Sequence, residues 1–220
     1  MADIADVMKG DWTPFLRPGQ DGDPDNGDCG VQLGDAIRHA RAMFAALGMP
    51  CDQEGTTATP DRFVRAMLEL TAGLRVDPDR HFARTFPAPS ADPGIIIVPG
   101  IRFTSVCEHH ALAFTGTMAV GYLPRPGAPV VGLSKLARVA REYAARPQMQ
   151  ERLGDQIVQA ITRSLDTDGA ACVIRSQHSC MTLRGARADG AAMVTSHMRG
   201  QFRESAALRN EFLTLANQPG

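Results

Sequence analysis

From Val31 the chain reads "VQLGDAIRHARAMFAALG". Ile37, Ala40, Met43, Phe44 and Leu47 recur there at three- and four-residue spacing, which predicts a helix with those side chains on its buried stripe, closed by Gly48 and Pro50. A second helix is predicted over "TPDRFVRAMLELTAGL", where Thr59 can cap, Pro60 fits the first turn, and Phe63, Met67 and Leu70 form the stripe. Arg62 and Arg65 lie about one turn apart on nearly the same face of it.

Beyond a Pro-rich connector around residues 87 to 93 the period changes. "GIIIVPGIRFTSVCEHH" and "AFTGTMAVGYLPR" are β-rich and predict strands near 95 to 106 and 112 to 123. The segment "GLSKLARVAREYAARPQMQERLGDQIVQAITRSL" is read as two helices, because Ser134 can cap the first and Pro147 interrupts the pattern. Strands return at "AACVIRSQHSCMTLRG" and around "AAMVTSHMRG", before a last helix at "SAALRNEFLTLAN". Strand pairs flanking a helical pair, without one-to-one alternation, predict an α+β fold rather than a doubly wound sheet.

Composition narrows the picture. At 220 residues and 44% apolar the chain can form one ordinary domain with a core and an extra terminal segment. Residues 1–30 carry "RPGQDGDPDNGDCG", which can bury little and is expected to be a flexible or partner-dependent arm. Residues 31–94 are read as a helical segment and 95–220 as the catalytic domain. Lys plus Arg total 23 against 24 Asp plus Glu, so no bulk field recruits nucleic acid or an anionic membrane, and any anion site must be local. Apolar runs such as Ile95 to Val98 fall far short of the roughly 20 residues of a membrane span. The start "MADIADVMKGDW" has no basic-then-apolar leader, and a cytoplasmic location is expected. Five scattered cysteines do not make a disulfide framework and suit a reducing compartment, which leaves the thiols for metal or for the core.

The densest chemistry is "TSVCEHHALAF", with Cys107, Glu108, His109 and His110 in a row. A thiolate and an imidazole three residues on, Cys107 and His110, can chelate zinc, though two ligands make a weak signal. Cys180 in "SQHSCMTLRG" is a third candidate, if its strand lies beside the first. Three protein ligands leave a position for water, which the metal acidifies, whereas four make a staple. His109 and His178 are then spare imidazoles suited to passing protons. Two rival readings stand beside the metal: a nucleophilic Cys107 thiolate next to imidazoles, and ordinary core or surface residues, the reading adopted for Cys29, Cys51 and Cys172.

Five motifs, "TSVCEHH", "VGLSKLARV", "RPQMQERL", "QHSCMTLRG" and "VTSHMRGQFR", resemble GTP cyclohydrolase I of type IA in order and spacing, over about residues 31 to 215. The resemblance implies Zn2+ on Cys107, His110 and Cys180 with an open position. It implies hydrolytic opening of the guanine imidazole ring of GTP, release of carbon 8 as formate, and closure to 7,8-dihydroneopterin triphosphate for folate or related pterin synthesis. His109 resembles the family's acid. Glu151 resembles its guanine anchor, with Gln150 beside it in the substrate-binding set; alone, Glu151 would be a solvated helix charge. Arg62, Lys135, Arg138 and Arg184 match the phosphate-binding positions, with Arg65 as a helper. Ser134 and His178 match residues near the ribose. The implied architecture is the tunnelling fold: an antiparallel sheet with helices on one side, subunits joining into a β-barrel, and active sites between the subunits of a homodecamer made of two pentamers.

His197 stands where the family more often has a small or hydroxyl residue, and "ALAF" replaces a Pro-containing turn. Neither change removes a ligand or the anchor, so the activity is expected to be retained. The alternatives are a diverged member acting on another purine nucleotide or feeding deazapurine formation, and a non-catalytic zinc-stapled nucleotide-binding assembly. A staple needs none of His109, His178 and Glu151. Glu108 is left as a group that could orient an imidazole.

Overall fold

The structure, a computed structural model, describes residues 31–218. The chain divides into two compact units, Met1–Val76 and Asp77–Gly220. The expected arm of residues 1–30, Cys29 included, lies outside the described residues.

In the first unit α1 (Leu33–Ala46) packs against α2 (Thr59–Leu70). Ala40 and Phe44 of α1 and Pro60 and Val64 of α2 are buried, and the Phe44 and Phe63 rings meet edge to face at 5.3 Å. The expected stripes are wider than this seam: Met43, Leu47 and Phe63 are 43%, 67% and 40% exposed. A pair of helices offers each one contact line, so only the side chains on that line are covered. Thr59 is the first helical residue rather than its cap, which is Ala58 without a side-chain hydrogen bond, while Pro60 does sit in the first turn.

The second unit begins with a 3-10 turn, Pro78–Ala83, and a short strand β1 (Thr85–Phe86). There follow β2 (Ile96–Cys107), β3 (Ala113–Pro124), β4 (Val130–Val131), α3 (Leu133–Ala144), β5 (Pro147–Gln148) and α4 (Gln150–Ser164). The chain closes with β6 (Thr167–His178), a single helical turn α5 (Ser179–Thr182), β7 (Met193–Gly200), the turn α6 (Gln201–Glu204) and α7 (Ala206–Ala216). Residues 77–94, grouped from the sequence with the helical segment, belong to this unit. Phe82 is buried in its core, and Arg80 and His81 both reach Glu142 of α3.

Five strands form one sheet in the order β5-β2-β3-β6-β7, antiparallel throughout except for the two-residue parallel pair β2–β5. Alternation assigns the faces. Met118, Val120 and Tyr122 with Ala170, Cys172 and Ile174 pack under α3 and α4 against Leu136, Val139, Leu153, Ile157 and Ile161. Ala119 and Ala171 point the other way, onto Phe202 and Phe212. The expectation of helices on one side therefore holds for α3 and α4, while α7 covers part of the second face. The α+β fold agrees with the tunnelling architecture that the resemblance implies, with the Pro147 segment following one helix and joining the sheet edge, where a missing N–H is tolerated.

Ser134 is not the cap of α3: Gly132 is, without a side-chain bond. Helix α3 runs along β2 in the same direction. Near its start the Val131 N–H donates to Tyr122 Oη at 2.9 Å, and Tyr122 pairs with Ile96. Farther on Arg141 Nε donates to the Arg102 carbonyl, and Ser105 Oγ donates to the Arg146 carbonyl at 3.2 Å. The first turn of α3 is thus at the Ile96 end of the sheet and its last at the Cys107 end. Among the described residues no helix is long and apolar enough to cross a membrane.

Candidate metal centre and the groups around it

Cys107 ends β2 and is pinned on both sides of its peptide unit. Its N–H donates to the Leu112 carbonyl at 2.8 Å, and its own carbonyl accepts from Ala111 at 2.9 Å and His110 at 3.3 Å. The tight reversal forces Ala111 to a φ of 54°, a left-handed conformation that costs a residue with a Cβ on the order of 1 kcal/mol. Its effect is to fold both histidines back over the thiol.

Cys180 is not on a strand, and the strand before it does not lie beside β2. It sits in α5, the turn after β6, and β3 runs between β2 and β6. The two cysteines meet because both chain reversals close over the same end of β3, where Phe114 pairs with His178. Cys107 Sγ is 3.9 Å from Cys180 Sγ and 4.0 Å from His110 Nδ1. The three ligand atoms lie within 4.8 Å of one another, and among the described residues they are the one such cluster of three.

Zinc held tetrahedrally at ordinary bond lengths sets its sulfurs about 3.8 Å apart and a sulfur and a nitrogen about 3.6 Å apart. From Cys107 Sγ the observed separations are about 0.1 Å and about 0.4 Å wider, and none of the three exceeds 4.8 Å, so a small closure fits the donor set to that ion. The nucleophile reading fits less well, because Cys107 is only 5% exposed and an attacking thiolate needs access. Cys172, fully buried at the sheet's centre, is a core residue as expected.

His178 stacks on Phe114, centroids 4.3 Å apart, and its Nε2 is 3.0 Å from Gln150 Oε1. Gln150 is fully buried, and its Nε2 donates to the Ile174 carbonyl and Thr195 Oγ1, both at 3.1 Å. That orientation makes Oε1 the acceptor, from Ser176 Oγ as well as from His178. His178 therefore carries its proton on Nε2 and a lone pair on Nδ1. Burial pulls its pKa below the ordinary histidine value, against the charge of Glu151. Gln150, grouped with the substrate contacts from the sequence, supports His178 through its side-chain amide, which is bonded to protein atoms.

Glu151, the next residue of α4, is exposed. Arg184 reaches the cluster, with Nη1 3.3 Å from His110 Nε2. Ser134, Lys135 and Arg138 do not gather there within the chain: Ser134 and Lys135 open α3, at the Ile96 end, with roughly 15 Å of helix between them and its Cys107 end, and Arg138 is midway along it, roughly 9 Å from that end. Arg62 and Arg65 belong to the first unit, where Arg62 donates to the Gly55 carbonyl and Arg65 pairs with Asp61. Sequence reasoning missed Arg152, which pairs with Glu108. The signal available was a carboxylate in "CEHH" in want of a cation.

A cleft of about 770 Å3 lies elsewhere, along β7, between residues such as Asp155, His197, Arg199 and Arg209, and it touches none of the cluster. His197 packs its ring directly over Gly154 of α4, and its buried Nε2 has no hydrogen-bond partner among the described residues.

Comparison with known proteins follows the same lines. A family model described as GTP cyclohydrolase I matches residues 36–217. A protein of Rhodopirellula baltica named GTP cyclohydrolase 1 is 46% identical over 178 residues, 81% of this chain and 76% of that protein. Proteins of the same name from Dehalococcoides mccartyi, 41% identical over 81% of this chain and 93% of theirs, and Mycolicibacterium gilvum, 45% identical over 80% and 86%, are similar to it as well.

Proposed function

The chain belongs to the GTP cyclohydrolase I family of enzymes, and from that premise we propose that it hydrolyses GTP in a zinc-dependent reaction to formate and 7,8-dihydroneopterin triphosphate. The observation that carries the reading is the convergence of Cys107, His110 and Cys180 beside an imidazole whose tautomer is fixed, His178. Zinc, when bound by those three, supplies Lewis acidity at the position they leave open.

The remaining work falls to side chains. Carbon 8 of a purine is a poor electrophile until nitrogen 7 is protonated, and the exposed His109 ring, adjacent to ligand His110, is the donor. Glu151 accepts hydrogen bonds from the guanine ring N–H and exocyclic amine. His178, with its lone pair on Nδ1, takes and returns a proton at the ribose. Arg184 donates to His110 Nε2 only while Nδ1 carries the ring proton; ligation through Nδ1 makes Nε2 a donor and frees the guanidinium for a phosphate.

Ser134, Lys135 and Arg138 act on the substrate held by a neighbouring subunit, a reading supported by the place of Ser134 and Lys135 at the far end of the sheet, with Arg138 midway along α3. Arg62 and Arg65 add cations for the triphosphate. Strand β7 ends the sheet, and β2 beyond its two residues of β5 is open on its other side. Such edges favour closure with further copies, here a homodecamer of two pentamers in the cytoplasm.

The test is incubation of the purified protein with GTP, followed by assays for formate and, after oxidation, for a fluorescent pterin. Absence of both rejects the function. Formate without pterin would favour a diverged enzyme that stops at an earlier product.

A further inference from the structure

We infer that Glu108, clamped by Arg152, is a positioning residue: it fixes the His109 imidazole relative to Glu151, so that acid and base anchor are held by one helical turn. The inference deepens the proposed function and rests on it for the roles of His109 and Glu151.

Glu108 sits between Cys107 and His109 in a reversal whose next three residues are exposed, yet its side chain is only 17% exposed and that of Arg152 only 15%. Arg152 Nη2 donates to Glu108 Oε2 and, at 3.1 Å, to the Pro147 carbonyl, while Nε donates to Gln148 Oε1 at 3.0 Å. Gln148 is itself buried, its Nε2 donating to the Tyr143 carbonyl at 2.9 Å and to Gln156 Oε1 at 2.8 Å. The main chain is held to the same segment, since the Glu108 N–H donates to the Gln148 carbonyl at 3.2 Å. Both the backbone and the carboxylate of Glu108 are therefore fixed to residues 147–152.

The oxygen that Arg152 leaves over, Oε1, is 3.9 Å from His109 Nε2, and the other ring nitrogen, Nδ1, is 3.8 Å from Cys107 Sγ. The ring is exposed and bracketed by two acceptors. At 3.9 Å the carboxylate is a neighbour rather than a hydrogen-bond partner. A modest rotation of the ring completes the bond, and the clamp on the other oxygen decides where that happens. A half-buried ion pair bears a desolvation cost that packed hydrocarbon would not, so stability alone does not account for it.

Successive residues of a helix point about 100° apart. In the first turn of α4 Gln150 points inward to His178, Arg152 sideways to Glu108, and Glu151 between them stays open. Each imidazole assigned a proton is thereby tied to a neighbour of the base anchor.

The test uses the zinc-loaded full-length protein. Glu108→Gln keeps the shape and removes the charge. It should lower kcat about 10- to 100-fold, as changes to groups orienting active-site histidines do, with KM for GTP and zinc content unchanged. Arg152→Lys, which keeps a cation but loses the fork to Gln148 and Pro147, should lose less. Hydrogen exchange gives a readout independent of turnover: amides in a peptide covering 108–112 should exchange faster in Glu108→Gln. Unchanged kcat and exchange would overturn the inference, as would loss of zinc in step with kcat, or a rise in KM alone. If the unaltered protein does not turn over GTP, the proposed function fails, and the exchange measurement still decides whether Glu108 holds the His109 loop.

Discussion

The two ends of the five-stranded sheet are built differently. At the Ile96 end both faces are covered: Tyr122 lies under α3, whose Leu136 shares its core cluster, and Phe202 and Phe212 cap the other side. At the Cys107 end only one face is covered, and Thr115, Thr117, Arg175 and Gln177 leave the other polar and exposed. Hydrocarbon holds one end in a non-directional way. The other is held by directed bonds through Gln148, Gln150 and Arg152, which fix angles as well as positions. Stability and chemistry should therefore be separable by mutation.

The largest effect is expected at the polar end. Cys180→Ala removes a ligand and should bring zinc content to background and GTP turnover below detection, while the circular dichroism of the fold stays unchanged. Metal analysis decides it, since full zinc occupancy in the variant would show the third ligand to be misassigned. His109→Ala should instead keep the zinc and lose the turnover.

The next largest belongs to the apolar end. Phe212 is fully buried and meets Phe202 edge to face at 5.5 Å. Phe212→Ala should cost about 3–5 kcal/mol in denaturant unfolding. The folded fraction should retain zinc and an unaltered KM; loss of metal would mean that the two ends are not independent.

That contrast also marks what could be read from the sequence. Strands expected near 95 to 106 and 112 to 123 are found at Ile96–Cys107 and Ala113–Pro124, because alternation and composition are local signals. Thr59 and Ser134 are not caps, since a hydroxyl caps only a helix that begins one residue after it, and these helices begin at Thr59 itself and at Leu133. The cysteine cluster was legible as a set of residue types but not as a geometry. Its closure depends on β3 pairing with both β2 and β6, a long-range register that no local pattern encodes. The five-motif resemblance singled out Cys107, His110 and Cys180 as candidate ligands where spacing left rivals open. Arg152 went unnoticed because its partner Glu108 is distant in sequence.

A fourth substitution probes the packing of α4 on the edge strand β7. A Cβ on Gly154 would stand 2.2 Å from His197 Cδ2. Gly154→Ala should therefore destabilise by about 1–3 kcal/mol through overpacking. The loss should vanish in a His197→Ser background, so that the double variant is as stable as His197→Ser alone. If Gly154→Ala is harmless by itself, the ring does not occupy that seat.

The smallest effect expected is a pH dependence, and it draws on both regions. Burial pulls the pKa of His178 and of His197 below the ordinary value; Glu151 opposes this at His178, and Asp155 and then Glu151 at His197. The unfolded chain, with histidines near 6.5, then binds protons more readily than the folded one. Above that value both forms are neutral, and the contribution to stability is full and flat. As pH falls through about 6.5 toward the lower folded values, the unfolded state gains protons first and stability is lost. Denaturant unfolding between pH 8 and pH 5.5 should show this fall, and His197→Asn should flatten part of it, because Gln150 already serves His178 whereas His197 Nε2 has no partner to accept from a second proton. If stability instead rises on going from pH 7 to pH 6, the sign is wrong and neither ring is held neutral by burial.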